Sequence, residues 1–551
     1  MKRALPALGL TLVLGPAYAW EFLKGRPRIL EDLKRLSPLF LDIAFVALAV
    51  LFILGLKDLL RPFGSVPKMS RVLAAGVGLG AFALAFFVAP RTHRIYYDEN
   101  IYLHIGQSIA AAHKAEMVNF GVIEKGRLIA EQGEYNKQPN SYPFLLSLFY
   151  RVFGTSENLS FLINNIVFAL TALVLFGIAF VLGGGAAPGL CAAAAFAVVP
   201  QNILWANTTS AEPANTLFLA LTVFVFLVFL RTGKLRLFFL ATVAACFAAQ
   251  FRLESMLIFP LLGIMAFIDG PRPLKRTELL YAIPIVGTLL FAHVFHVYGF
   301  QGHPWGADQD KLSIFYVRPN LMTNGLFFLN NKDFPVLLTA FLAVALATRK
   351  LLKEKLMILF WFVLFWGVFL FFYAGSYYYG ADIRFSLMAY PPFCLLAGLG
   401  LARADTWAKK VLKLPLPFAA AVIVVAFIMF YPKVHAVGEE AWAARADHRY
   451  AQSMADTLPP QSIVFTHNPN MFLFWGRSAA QASILSAQDD KGLSGLKARF
   501  PGGVFFHFNF WCNVDDPVQQ SFCRKILEKY PHREVMRFAE RNYMYVLYRI
   551  D

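Results

Sequence analysis

Apolar runs of about the length that crosses a hydrocarbon core recur along most of the chain, separated by short polar stretches. They fall near 4–20, 38–56, 70–89, 160–182, 186–204, 214–230, 237–250, 255–268, 279–298, 334–348, 356–374, 387–402 and 414–431. Such recurrence describes a protein that passes the membrane many times, not one with a single anchor. Three stretches break the rhythm: 90–159, 299–333, and everything after about 432. In the first, Ile101, Ile105, Ile109 and Ala112 return at helical spacing, which predicts a helix lying along the membrane interface. In the last, charged residues and turns separate strand-like Ser462–Thr466 and Gly503–Phe508, a helical 517–530 and an alternating 543–548. The predicted fold is therefore an all-α polytopic membrane domain of about 12–13 transmembrane helices. It occupies residues 1–431 and carries an external loop at 90–159, with a small external α/β C-terminal domain at 432–551.

Composition agrees. Of 551 residues, 58% are hydrophobic and 15% charged, and the mean hydropathy is +0.54, outside the usual range of a soluble globular chain. A formal charge of +17 invites a nucleic-acid reading, but the cations sit in short loops between apolar runs and form no basic face. They report topology instead. Lys57, Arg61, Lys68 and Arg71 fill one loop; Arg231, Lys234 and Arg236, then Arg272, Lys275 and Arg276, then Arg349, Lys350, Lys353 and Lys355, then Arg403, Lys409, Lys410 and Lys413 occupy alternate loops beyond it. Placing these in the cytoplasm puts 90–159 and the tail on the outer face of the cytoplasmic membrane. At the start, Lys2 and Arg3, the apolar 4–15 and Ala17-Tyr18-Ala19 also fit a cleavable signal peptide ending near residue 19. Retention and cleavage of that segment both export residues 21–38; retention gives about thirteen spans.

Of five cysteines, Cys512 and Cys523 lie in the exported tail. A disulfide and two buried free thiols are both open to them, because spacing alone does not fix the geometry. There is no CxxC pair, HExxH segment, Walker-type loop or GxGxxG fingerprint, which argues against nucleotide-driven work.

Candidate chemistry gathers at the external ends of spans. Asp98 and Glu99 come directly after a span that exits near Pro90. Carboxylates held close to lipid have few water partners and are suited to taking a proton from a hydroxyl; the plainer role is a helix start, with Asp98 capping and Glu99 complementing the dipole. Lys137, ahead of Pro139 and Pro143, could meet a phosphate or simply snorkel. Tyr96, Tyr97, Tyr102, Tyr135 and Tyr142 could face a sugar ring, with Tyr97 and Tyr142 as the candidate contacts, although interfacial belts are rich in tyrosine anyway. Glu212, Arg252 with Glu254, and Arg384 with Asp382 are charges near span ends. Such charges are commonly functional, and guanidinium groups grip phosphate bidentately; internal ion pairs of Arg252 with Glu254 and Arg384 with Asp382 are the alternative. His293 and His296 stand three apart on a helix and read as packed side chains more than as metal ligands.

In order and topology these features resemble the GT-C superfamily of glycosyltransferases, in the branch of protein O-mannosyltransferases and the lipid A aminoarabinose transferase. The resemblance rests on Asp98-Glu99, Lys137-Gln138-Pro139, Tyr142-Pro143-Phe144-Leu145, Phe153-Gly154, Glu212, Arg252, the run Arg384-Phe385-Ser386-Leu387 through Tyr390-Pro391-Pro392, and the stretch 462–469. It implies a GT-C type membrane domain and an inverting transfer of a sugar from a polyprenyl-phosphate donor. Asp98 is then the catalytic carboxylate with Glu99 beside it, and Lys137, Arg252 and Arg384 bind the donor phosphate. Glu212, Tyr97 and Tyr142 are placed at the substrate. Asn136 stands where aminoarabinose-transferase relatives carry an acidic residue, so their metal-linked feature does not carry over. No metal ligand set and no required cofactor are assigned; a divalent ion stays open but is not indicated. The expected partners are the lipid-linked sugar, membrane lipids, and a glycan, lipid or protein acceptor, without nucleic acid. The rivals are a flippase or solute transporter built on the same spans, and an oligosaccharide polymerase or ligase acting on the same face.

Overall fold

The computed structural model describes residues 5–270, 280–303, 307, 310–330, 332–380, 383–413 and 417–551. A helix stands at every predicted span, but many are shorter or more broken than the hydropathy implies. Among the described residues five helices are long and apolar enough to cross a membrane, and up to eight if each bent pair counts as one span. Ala186–Val198 and Pro200–Ala206 meet at 66°, and Ala282–Leu289 and Phe291–Gly299 at 53°. The first break falls where Pro200 removes a backbone donor and disfavours helix at Val199. The Arg26–Leu60 helix has 35 residues, about 52 Å at 1.5 Å per residue. It exceeds the hydrocarbon core and carries Lys34 near its N-terminal end.

Close helix contacts are made by small residues, as expected where lipid offers no hydrophobic drive between helices. In the Tyr390–Val411 helix a Cβ on Gly398 would stand 2.5 Å from the backbone nitrogen of Ala192, so this helix and Ala186–Val198 touch backbone to backbone. The loops rich in cations lie together at one end. Arg236 pairs with Asp58, and Arg231 pairs with Glu354 at 2.8 Å. The helices Glu212–Thr232 and Leu235–Ala248 run between that end and the end carrying Glu212 and Arg252. The third basic loop, with Arg272, Lys275 and Arg276, lies outside the described residues, as does Asp382.

Outside the bundle stands one seven-stranded sheet, ordered β2-β1-β4-β3-β5-β7-β6. β3 (Ser462–Thr466), β5 (Gly503–Phe508) and β7 (Tyr543–Ile550) occupy the predicted positions, with β4 (Ser478–Gln481) and β6 (His532–Glu540) added. The division at residue 432 needs a correction. β1 (Met117–Glu124) and β2 (Arg127–Glu134) belong to the 90–159 segment, and β1 joins the tail's sheet through Phe120↔Ala480 and Gly121↔Ala479. The α/β unit is thus built from two distant segments. The Asp98–Ala112 helix is buried from Glu99 to Ile109 apart from Gln107. It packs on the Ser141–Phe153 helix and on the tail's Pro469–Phe474 helix, and so lies between the two units; Ala112, expected on its buried face, is exposed. Cys512 and Cys523 form a disulfide.

Candidate active site

Two cavities meet at the start of the Asp98–Ala112 helix. The first, about 520 Å³, is lined by Asp98, Lys137, Gln138, Arg252, Glu254, Lys311, Tyr373, Tyr379 and Arg384, with an apolar wall that includes Leu253, Met256, Leu257, Leu312, Phe369 and Phe372. The second, about 740 Å³, is more polar and includes Glu31, Lys34, Tyr97, Asn119, Glu134, Asn136, His303, Gln481 and Ser483. Asp98 and Lys137 line both.

Local sequence explains how each side chain arrives there. Asp98 opens its helix but does not cap it: the residue before, Tyr97, has φ 82° and ψ −55°, and no side chain caps the helix. A tyrosine at positive φ is strained, at a cost of about 1–3 kcal/mol that packing around it must offset. Its ring is held by Gln481, whose Nε2 donates to the Tyr97 hydroxyl at 3.1 Å. Asp98 Oδ2 instead faces Arg384 Nη1 at 3.4 Å and Gln138 Nε2 at 3.5 Å, both long contacts.

Glu99 points elsewhere, because successive residues of a helix are about 100° apart. It is fully buried, lines neither cavity, and accepts from the backbone nitrogens of Arg94 at 2.6 Å and Ile95 at 3.0 Å and from the Thr209 nitrogen and hydroxyl at 2.8 and 2.9 Å. Burial alone would raise its pKa; His93 and these donors outweigh burial and hold it below the usual carboxylate value. Glu99 therefore fixes the loop that presents Asp98, a positioning role in place of the expected catalytic one.

The 136–141 segment is pinned so that Lys137 faces the cavities. The Ser141 nitrogen donates to the Gln250 carbonyl at 3.1 Å, the Ser141 hydroxyl to Phe247 at 3.1 Å, and Asn140 Nδ2 to the Tyr135 hydroxyl at 2.9 Å. Arg252 lines the first cavity but is committed on both sides, with Nη1 2.5 Å from Glu212 Oε1 and Nε 2.5 Å from Glu254 Oε1. Burial lowers its pKa, and Glu254 and Glu212 more than reverse this. Glu212, 1% exposed, stands behind Arg252 and out of the cavity. Arg384 is freer: its Nε is buried with no hydrogen-bond partner, and its guanidinium lies 4.9 Å from the Phe385 ring centre. Tyr142 is a packing residue, fully buried, accepting from Asn164 Nδ2 at 3.1 Å and edge-on to Tyr102 at 5.7 Å. Thus Asp98, Lys137, Arg252, Arg384 and Tyr97 reach a cavity wall, and Glu99, Glu212 and Tyr142 do not. His293 and His296 belong to neither cluster of three metal-ligating side chains found among the described residues.

Sequence reasoning missed Lys311, Tyr373 and Tyr379. A bridge between Leu312 and Phe372, with Tyr373 nitrogen donating to the Lys311 carbonyl at 3.0 Å, clamps Lys311 to the first cavity. Burial lowers its pKa. The only sequence signal was a cation in an external loop, which many snorkelling lysines share.

Compared with solved structures, the chain superposes on ArnT from Cupriavidus metallidurans bound to undecaprenyl phosphate with a TM-score of 0.53 at 15% identity, covering 87% of this chain and 97% of that one. The chain has the GT-C fold. The oligosaccharyltransferase of Archaeoglobus fulgidus tethered with an acceptor peptide gives 0.51 at 11% identity, covering 87% and 74%. The family model for dolichyl-phosphate-mannose-protein mannosyltransferase matches residues 137–296, the part of the chain that contains Lys137, Glu212 and Arg252. No curated protein matches in sequence.

Proposed function

We propose that this GT-C protein transfers a sugar from a polyprenyl-phosphate donor to a hydroxyl-bearing acceptor on the outer face of the cytoplasmic membrane, with inversion. One observation carries the reading: Asp98 is shared between a cavity with cations and an apolar wall and a second, more polar cavity. A lipid phosphate suits the first, with its isoprenoid along the apolar wall and its phosphate among Lys137, Lys311 and Arg384. The acceptor enters by the second. Asp98 takes the acceptor's hydroxyl proton, the oxygen bonds to the anomeric carbon from the face opposite the phosphate, and the C–O bond to phosphate breaks with its electron pair leaving on the lipid phosphate. Fixed cations in a site of low dielectric then stabilise that developing charge, and because they are built in, no divalent ion is needed at the phosphate. Arg252 contributes indirectly, as part of the Glu212–Arg252–Glu254 wall. The ArnT neighbour was solved with undecaprenyl phosphate, which supports the donor class.

The test is transfer by the purified protein from radiolabelled monosaccharide on polyprenyl phosphate. Sugar-dependent release of polyprenyl phosphate and label in an envelope acceptor fraction are expected. Binding or translocation of the lipid-linked sugar without cleavage of its C–O bond would instead make the protein a flippase.

A further inference from the structure

Away from both cavities, three side chains from distant parts of the chain converge. His93 precedes Asp98 in the first external loop, Glu157 opens the Glu157–Ala179 helix, and His448 lies on the Glu439–Thr457 helix of the tail. His93 Nε2 and His448 Nε2 each stand 3.0 Å from the same oxygen, Glu157 Oε1. All three side chains are at most 19% exposed, and none lines either cavity.

Hydrogen placement makes the arrangement informative. On the far side of its ring, His93 Nδ1 faces Glu99 Oε2 at 3.3 Å and the Thr209 hydroxyl oxygen at 3.2 Å. The Thr209 hydroxyl gives its own proton to Glu99 at 2.9 Å, so both neighbours of Nδ1 are acceptors and the ring hydrogen sits there. Nε2 then faces a carboxylate oxygen, an arrangement that calls for a positive charge there, either a second ring proton or a metal ion. A carboxylate that fixes the far nitrogen of a histidine is the usual outer support of a metal-bound imidazole. Two imidazoles and one carboxylate form a common ligand set for zinc, with bonds of about 2.0–2.2 Å. A tetrahedral centre with such bonds needs ligand–ligand edges of ~3.3 Å, a few tenths of an ångström beyond the two histidine–carboxylate separations of 3.0 Å, and all three ligand atoms lie within 4.8 Å of one another. Imidazole ligands favour a borderline metal over magnesium or calcium, and a dication balances the two carboxylates, Glu157 and Glu99.

We infer that His93, Glu157 and His448 bind a divalent zinc-like ion that latches the α/β unit to the membrane bundle. Because Glu99 holds both His93 and the backbone of Arg94 and Ile95, the latch also fixes the loop that presents Asp98. His93 and His448 are positioning residues, remote from the reacting atoms. The second three-residue cluster, His467 with Cys512 and Cys523, is no competitor, since its sulfurs are joined in the disulfide.

The full chain, purified in detergent with a tag free of histidine, is loaded with zinc chloride, dialysed against metal-free buffer, and measured for metal content, thermal midpoint and zinc X-ray absorption. About one zinc per chain should remain, as in structural sites of this kind, with nitrogen and oxygen neighbours and no sulfur, and removing it with a chelator should lower the midpoint. His448→Gln and His93→Gln should each lose the zinc, and His467→Gln should keep it. Because a His448 or His93 variant could misfold, the absorption spectrum and chelator-dependent midpoint of the unmodified protein decide independently. Retention of less than about a tenth of an equivalent with a midpoint indifferent to zinc, sulfur in the absorption spectrum, or zinc persisting in a folded His448→Gln protein would each overturn the site. The first of these leaves a protonated His93 as the charge between the carboxylates.

Discussion

Asp98 and Glu99 are adjacent and chemically alike, yet the structure requires opposite outcomes when each is replaced by its amide. Asp98 makes only two long polar contacts, at 3.4 and 3.5 Å, so Asp98→Asn, which keeps the size of the side chain and an acceptor oxygen, should cost the folded state no more than about 1 kcal/mol. As the proton acceptor of the proposed reaction it should lose about 10²- to 10⁴-fold in turnover. Glu99→Gln is the reverse case. Glu99 Oε1 serves two backbone donors and Oε2 serves the Thr209 nitrogen and hydroxyl. An amide offers only one acceptor atom, so whichever way it turns, an NH₂ group faces one of these pairs. Leaving two buried donors unpaired, at about 1–3 kcal/mol each, predicts a loss of about 2–6 kcal/mol. The assay pairs thermal unfolding in detergent with single-turnover transfer from a lipid-linked sugar. If Asp98→Asn unfolds several degrees early while Glu99→Gln keeps its stability and loses only turnover, the assignment of roles is inverted and the geometric reasoning fails.

The same geometry dictates three more outcomes. Arg384→Ala should weaken binding of the lipid-linked sugar strongly and Arg384→Lys should recover only part of it, since an ammonium lacks the guanidinium fork; equal affinity in both variants, measured by titration with the donor, would remove Arg384 from the phosphate site. Arg252→Met should cost about 3–5 kcal/mol of stability by stranding Glu212, and adding Glu212→Gln should return much of it; a double-mutant cycle with no coupling would refute the pair. Burial lowers the pKa of His507 to about 3, against about 6.5 in an unfolded chain. Above pH 6.5 both states are neutral at this site, so the tail should lose stability as pH falls from about 6.5 towards 3, where only the unfolded state takes the proton. The slope of the thermal midpoint over that window should flatten in His507→Gln.

Hydropathy and cation placement located the membrane helices well, because those signals depend on composition over a whole span. They did not reveal that several spans break, since a bend at Pro200 costs little hydrophobicity. Strands β3, β5 and β7 were legible as short apolar or alternating runs between turns. The β1–β2 hairpin was not: β1 is buried on both faces along much of its length and β2 is largely exposed, so neither alternates. Its turn is Lys125-Gly126, both at positive φ, the geometry of a two-residue hairpin without the usual Asn or Asp ahead of glycine. At the site, the sequence identified charges but not their directions. Arg252 and Arg384 looked equivalent, and only the positions of Glu212 and Glu254 show one committed and the other with an unpartnered Nε.

The recruitment of β1 into the tail's sheet bears on how the proposed donor and acceptor sides are divided. Every described residue lining the first cavity lies between 98 and 385, ahead of the tail. The second cavity adds Gln481 and Ser483, at the end of β4 and just beyond it, and β4 is held against the loop by its pairing with β1. Gln481 in turn holds Tyr97, the strained residue directly before Asp98. A change in the tail at Ser483 therefore meets the second cavity alone, the proposed acceptor side, whereas one that acts through Gln481 and Tyr97 shifts Asp98 and so reaches both cavities. On the proposed reading the first cavity can thus be kept while acceptor preference varies through the sheet, and variation at Gln481 remains tied to Asp98 through one hydrogen bond and one strained backbone position.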